Sequence, residues 1–275
     1  MTIDSGWNKI LKTSVPTAFQ SALDISQQPV TVFIDGQIKL MCSSSIQHWS
    51  TFFHVQFLTS IQQAFATGAR VVVLSFDNYN AVPESKTMTQ QKRSKHVPAM
   101  DFKPGDELPR IMPENWPAAM RNRTFKVKVI HMIVNNIRLH FSRENNLEQH
   151  GRSLVIDFIE TPEVLGTPLV LPDLTGKRGE CDIKAFSWTG YGPLLISSTD
   201  GDFVPISLVQ MERIAASTGH RQQIYLFRLK TNVVPPGKRN REEVNKREYE
   251  YMNMHAILDW VTKQMNARER SGVYW

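Results

Sequence analysis

Cysteine is almost missing from this chain: there are two in 275 residues, Cys42 and Cys181. Two thiols cannot make a disulfide framework or a four-thiolate zinc site, so a reducing, intracellular setting is the expectation. No apolar run approaches the length that spans a bilayer, and the N-terminus, MTIDSGWNKILK, lacks the apolar centre of a signal peptide. A soluble protein with no membrane partner is expected. Neither GxGxxG nor GxxxxGK[ST] occurs, which removes both Gly-rich phosphate loops, and no internal repeat sets a solenoid period. What is present is an ordinary globular composition with a modest basic surplus. Lys and Arg total 32 against 26 Asp and Glu, a net charge of +6 with a pI near 9.3. That balance favours an anionic partner such as nucleic acid. The length suits one large α/β domain or two smaller ones.

The acids are what organise the sequence. Between Arg178 and Phe203 four carboxylates fall in two pairs, Glu180 with Asp182 and Asp200 with Asp202. The run Pro193–Ile196 reads as a short buried strand leading to Asp200, and Gly201 permits a sharp turn between the two aspartates. Glu180 and Asp182 are two apart, which does not share a helix face. They therefore fit a loop entering the helix that carries Ile183, Ala185 and Phe186. Acids held close repel unless a shared proton, a basic side chain or a hard divalent cation neutralises them. The cation is the favoured reading, although Asp-Gly-Asp is also a common turn and Glu at a helix start is ordinary capping chemistry. Cys181, between two acids, reads as a buried packing residue.

Earlier in the chain the pattern recurs. Pro29–Ile34 is a β-branched strand that stops at Asp35-Gly36, and Arg70–Phe76 is a second that stops at Asp77. Between them Ile46–Gly68 has helical spacing and a terminal glycine, so strand, helix and strand imply a parallel crossover. In open parallel sheets the ligand site lies beyond the carboxyl ends of the strands, where Asp35, Asp77 and Asp200 are all expected. After Asp77 a polar helical segment places Lys86 and Arg93 seven apart, two turns of one helix, beside Lys92 and Lys95. Such a run is either a solvated face or a clamp for phosphate oxygens. Residues 97–117, rich in proline, read as an irregular connection or lid. Met120–Phe141 reads as a basic amphipathic helix, Ser153–Ile159 as a strand with Asp157 as an edge or turn acid, Gln223–Leu229 as a strand, and Tyr251–Met265 as an amphipathic helix. His48, His54 and His255 are read as surface or packed residues, not as ligands.

In their order these motifs resemble the flap endonuclease and XPG family of structure-specific 5′ nucleases, within the PIN-like superfamily. GWNKILKTSVP is similar to the family's N-terminal helix, and VTVFIDG to its first acidic strand. RVVVLSFDNYNAVPESKTMTQQKR is similar to the Asp-bearing strand, proline turn and basic helix. GECDIKAF and SSTDGDFVPI resemble the Glu-x-Asp and Asp-x-Asp motifs. The resemblance implies an α/β, PIN-like fold in one domain over 1–275, with a mostly parallel twisted sheet flanked by helices and an acidic site at the carboxyl edge. It further implies two Mg²⁺ ions, with Mn²⁺ able to substitute, held by Asp35, Asp77, Glu180, Asp182, Asp200 and Asp202, while Lys86 and Arg93 act as catalytic cations. The expected substrate is branched or 5′-ended DNA, and a nuclear location follows if the source is eukaryotic. A 5′-to-3′ exoribonuclease and a catalytically weak nucleic-acid scaffold are the alternatives. An Asp-nucleophile phosphatase is disfavoured because Asp35-Gly36-Gln37 lacks the second acid that chemistry needs. The sequence departs from the family in three places. Thr2, not glycine, follows Met1; residues 96–150 form a divergent insert where an arch or lid is expected; and the C-terminal DNA-binding element is expected to be missing or truncated.

Overall fold

The computed structural model describes residues 10–21, 30–41, 46–78, 100–143, 146–158, 161–174, 180–229 and 249–271. In chain order the strands are β1 (Phe19–Gln20), β2 (Val30–Asp35), β3 (Ala69–Ser75), β4 (Ser153–Asp157), β5 (Glu163–Gly166), β6 (Leu194–Ser197), β7 (Ile224–Leu229) and β8 (Tyr249–Asn253). The helices used below are α1 (Gly36–Met41), α2 (Trp49–Phe53), α3 (Thr59–Ala66), α4 (Trp116–Ala119), α5 (Arg123–Arg143), α6 (Asn146–Gln149), α7 (Cys181–Lys184), α8 (Phe203–Thr218) and α9 (Met254–Ser271). The chain is thus α/β, and it divides into two compact units, Pro29–Trp188 and a terminal unit of Met1–Gln28 with Thr189–Trp275.

In the 29–188 unit, β2 pairs with β3 and β3 with β4, both in parallel, and β5 adds antiparallel to β4. Val30–Asp35 is buried at every position, as expected of a β-branched strand covered on both faces. The crossover from β2 to β3 runs through α2, a π-type turn at His54–Leu58, and α3, which ends at Gly68 with φ 91°. Phe52, Phe57, Ile61 and Phe65 face inward from it. His48 and His54 are exposed.

The connection from β3 to β4 contains α5, whose Phe125, Val129, Ile130, Ile133, Val134 and Ile137 are buried at helical spacing. The described part of the proline-rich stretch is irregular up to α4 and is pinned at several points. Trp116 Nε1 donates to Leu40 O at 2.6 Å, Trp49 Nε1 to Pro109 O at 2.8 Å, and Met112 N to Gln47 O at 3.0 Å. Trp49, Phe52, Trp116 and Phe125 form an edge-on and tilted aromatic cluster beneath it, with ring centroids 5.2–6.3 Å apart.

Within the terminal unit, β6 pairs with β7 in parallel, and β8 runs antiparallel to both β7 and β1. Three elements here escape the sequence reading. The two-residue β1 is too short to show a period. Phe203–Thr218 is helical, because Pro205 sits in the first turn where its missing N–H is harmless, and Gly219 closes the helix at φ 74°. Tyr251–Asn253 belong to β8 and not to the last helix, which begins at Met254; the Asn253 side chain accepts the amides of His255 and Ala256. Met254, Ile257 and Leu258 of the expected apolar stripe are buried, whereas Met265 is exposed. Glu250 is buried in β8 and pairs with Lys12 at 2.8 Å.

Candidate functional site

The carboxyl ends of β2, β3 and β4 lie side by side, since Asp35 pairs in register with Ser75 and Ser75 with Asp157. Three strands therefore deliver acids to one edge of the 29–188 unit: Asp35, Asp77 just past β3, and Asp157. All three are buried, between 2 and 8 % exposed. Buried carboxylates need hydrogen bonds or counter-charges, and each meets that need differently.

Asp35 is the cap of α1. Its Oδ1 accepts the amides of Gln37 at 2.9 Å and Ile38 at 3.2 Å. The helix can start so close to β3 only because residue 36 is glycine: a Cβ there would lie 2.6 Å from the Phe76 ring and 2.7 Å from Ser75 O.

Asp77 reaches the start of α7, where its Oδ1 accepts the Cys181 amide at 3.0 Å. The Cys181 thiol donates to Ser75 O at 3.3 Å. Burial first, and then the carboxylates of Asp35 and Asp77, push that thiol well above its ordinary pKa, with Lys184 opposing them. Glu180 is the N-cap residue of α7, extended at φ −118° and ψ 136°, and Asp182 lies in the first turn; both are half-buried. The expected placement of this pair at a helix N-terminus is what the structure has.

Asp157 is not the edge or turn acid expected from the sequence. It ends a strand flanked by β3 and β5, and it is paired. Lys184 Nζ lies 3.0 Å from its Oδ2, and Ser75 Oγ donates to the same oxygen at 2.8 Å. Lys184 also donates to Phe76 O at 2.7 Å and is only 1 % exposed. Sequence reasoning missed this pair. The usable signals were that Asp157 closes an apolar strand just as Asp35 does, and that Lys184 stands three residues from buried Cys181 on the same face of the turn. Lys126 of α5 was missed as well. Burial pushes its ammonium below the ordinary lysine value and the Asp77 carboxylate partly offsets this, which puts a cation within the field of the acidic edge.

Asp200 and Asp202 belong to the terminal unit. Both are exposed in the turn between β6 and α8, where Asp200 Oδ1 accepts the Asp202 amide at 3.1 Å and Asp202 is the N-cap residue of α8. Asp259 is exposed and pairs with Arg221 at 2.6 Å, with His255 3.5 Å away. Lys86 and Arg93 lie outside the described residues.

The donor set at the 29–188 edge is carboxylate oxygen, the type that hard divalent cations take. Cys181 occupies one oxygen of Asp77. Among the described residues, no group of three or more His, Cys, Asp or Glu stands ready arranged as a metal cage, so a cation here would draw on fewer protein ligands with water completing its shell, as Mg²⁺ commonly does. No helix among the described residues is long and apolar enough to cross a membrane. No family model matches the chain, and a search of curated proteins returns no significant match.

Proposed function

We propose that this chain is a divalent-metal-dependent nuclease of the structure-specific 5′ nuclease type, with a PIN-like fold, that hydrolyses phosphodiesters in DNA. The observation that carries the reading is that Asp35 and Asp77 lie at the carboxyl ends of adjacent parallel strands and that Asp77 accepts the first amide of the helix flanked by Glu180 and Asp182. In this reading Asp35, Asp77, Glu180 and Asp182 of the 29–188 unit, and separately Asp200 and Asp202 of the terminal unit, serve as Mg²⁺ ligands, directly or through water. Bound there, the ions would lower the pKa of an attacking water and stabilise the leaving oxygen. The chain's own cations do the rest. Lys126, beside Asp77, draws the phosphodiester to the acidic edge, and Lys86 and Arg93 neutralise charge that develops on the phosphoryl oxygens.

The test is Mg²⁺-dependent cleavage of a 5′-flap duplex and of 5′-phosphorylated single-stranded RNA, by wild type and by Asp200→Asn. Asp200 is exposed, so the variant keeps its fold. Cleavage of flap DNA that falls about a hundredfold or more in the variant supports the reading. Preference for the RNA moves the substrate to the exoribonuclease class, and no cleavage of either by wild type overturns the enzyme. A second reading, a nucleic-acid-binding scaffold, draws on the Lys184–Asp157 pair, which neutralises part of the acidic edge from within; retained binding of the flap duplex without cleavage would favour it.

A further inference from the structure

Lys184 is a buried charged side chain at the acidic edge, and nothing in the proposed chemistry uses it. It does not touch Asp77, yet the backbone leading to Asp77 is held by it and by its immediate neighbours. The Lys184 ammonium takes the carbonyl of Phe76, the residue before Asp77, at 2.7 Å. One turn earlier, Cys181 takes the carbonyl of Ser75 through its thiol and the carboxylate of Asp77 through its amide. Asp157, the counter-charge of Lys184, holds the same segment from the strand side. Its backbone oxygen accepts the Phe76 amide at 2.9 Å and its Oδ2 accepts the Ser75 hydroxyl at 2.8 Å. Residues 75–77 are thus clamped between α7 and the end of β4, and the ion pair at 3.0 Å closes the clamp.

We infer that Lys184, with Asp157, is a positioning residue: the pair fixes Asp77 relative to the Glu180–Asp182 turn, so that Asp77 and one acid of that turn can share a cation whose shell water completes. This rests on the metal-dependent reading above. A buried ammonium is suited to the task because it can hold a carbonyl and a carboxylate together, whereas an apolar side chain of that length can do neither. Groups that orient ligands in this way typically tune metal affinity by about 10- to 100-fold.

Removing Lys184 alone would change both geometry and charge. Replacing the pair, Lys184→Met with Asp157→Asn, removes one positive and one negative charge together and isolates the geometry. The probe is Mn²⁺, titrated calorimetrically into the full chain well below its thermal midpoint, with circular dichroism as the check of fold. The expected result is binding by wild type and affinity about tenfold weaker in the folded double variant. A purely structural role would lower the thermal midpoint and leave affinity in the folded protein unchanged. A fall of less than about threefold therefore overturns the inference while the metal reading stands. If wild type binds no Mn²⁺, the metal reading fails and the inference goes with it. Should the double variant not fold, Ser75→Ala decides. It keeps both charges and loses only the hydroxyl that steadies Asp157, so affinity about threefold weaker supports the clamp and wild-type affinity overturns it.

Discussion

Replacing Lys184 with Met alone breaks the buried ion pair from one side. Met has nearly the same reach, so the loss is electrostatic and not a cavity. It leaves the Asp157 carboxylate, with 3 % of its side chain exposed, holding only the Ser75 hydroxyl, and it strips the Phe76 carbonyl of its ammonium. Breaking a buried pair by removing one partner costs about 3–5 kcal/mol, because the remaining charge keeps its desolvation penalty. Most of that should return when Asp157 is neutralised as well, since replacing both partners is often close to neutral. The assay is urea unfolding followed by tryptophan fluorescence. Buried Trp188 lies a few residues beyond Lys184, in the same unit, and Trp49 and Trp116 lie in the aromatic cluster. The expectation is a loss of about 3–5 kcal/mol for Lys184→Met and at least about 2 kcal/mol regained in the double variant, with a similar slope against urea. A loss below about 1 kcal/mol for the single variant would refute the argument, because a pair that cheap to break is hydrated.

Two further outcomes follow from the same edge. Cys181 should be inert in the folded protein, since burial and two carboxylates disfavour its thiolate; in a Cys42→Ser background a thiol-reactive dye at pH 8 should label nothing until urea is added, and native labelling would contradict the placement. Lys126 should titrate below the exposed lysines, and Asp77→Asn should move its midpoint lower still, because that carboxylate is what raises it; the ε-carbon NMR signal against pH reads both, and an upward shift in the variant has the wrong sign.

Much of this edge is legible in the sequence because it depends on local pattern. A β-branched run that stops at an acid marks a buried strand and its carboxyl end, and that rule places Asp35 and Asp77 where the structure has them. The Glu180–Asp182 spacing gives the helix start. The same rule also marks Asp157, although the apolar run continues past it to Ile159 and makes it look like a residue within a strand. Lys184 is harder. A lysine among apolar residues reads as a surface position, and only the partner carboxylate from a strand 27 positions away makes its burial affordable. The Phe203 helix is hard to read from sequence because Pro205 argues against a helix interior, although it is allowed in the first turn. The division into two units left no trace that composition could reveal, since no linker-like stretch separates Trp188 from Thr189.

Each acid of the edge already has a partner from the chain, and this decides what a cation can contribute. Asp35 is capped by two amides, Asp77 by one, and Asp157 by an ammonium and a hydroxyl. Repulsion among them is therefore met within the fold, unlike a structural zinc site, whose ligands have no partner until the metal arrives. Removing divalent cations should then leave the protein folded, with the same circular dichroism spectrum and a single cooperative melt of the 29–188 unit in EDTA. Added Mn²⁺ should stabilise by simple mass action, about 2.7 kcal/mol at a hundred times its dissociation constant. Unfolding in EDTA would show that the amides and Lys184 do not suffice to balance these carboxylates, and that the cation is part of the fold rather than an addition to it.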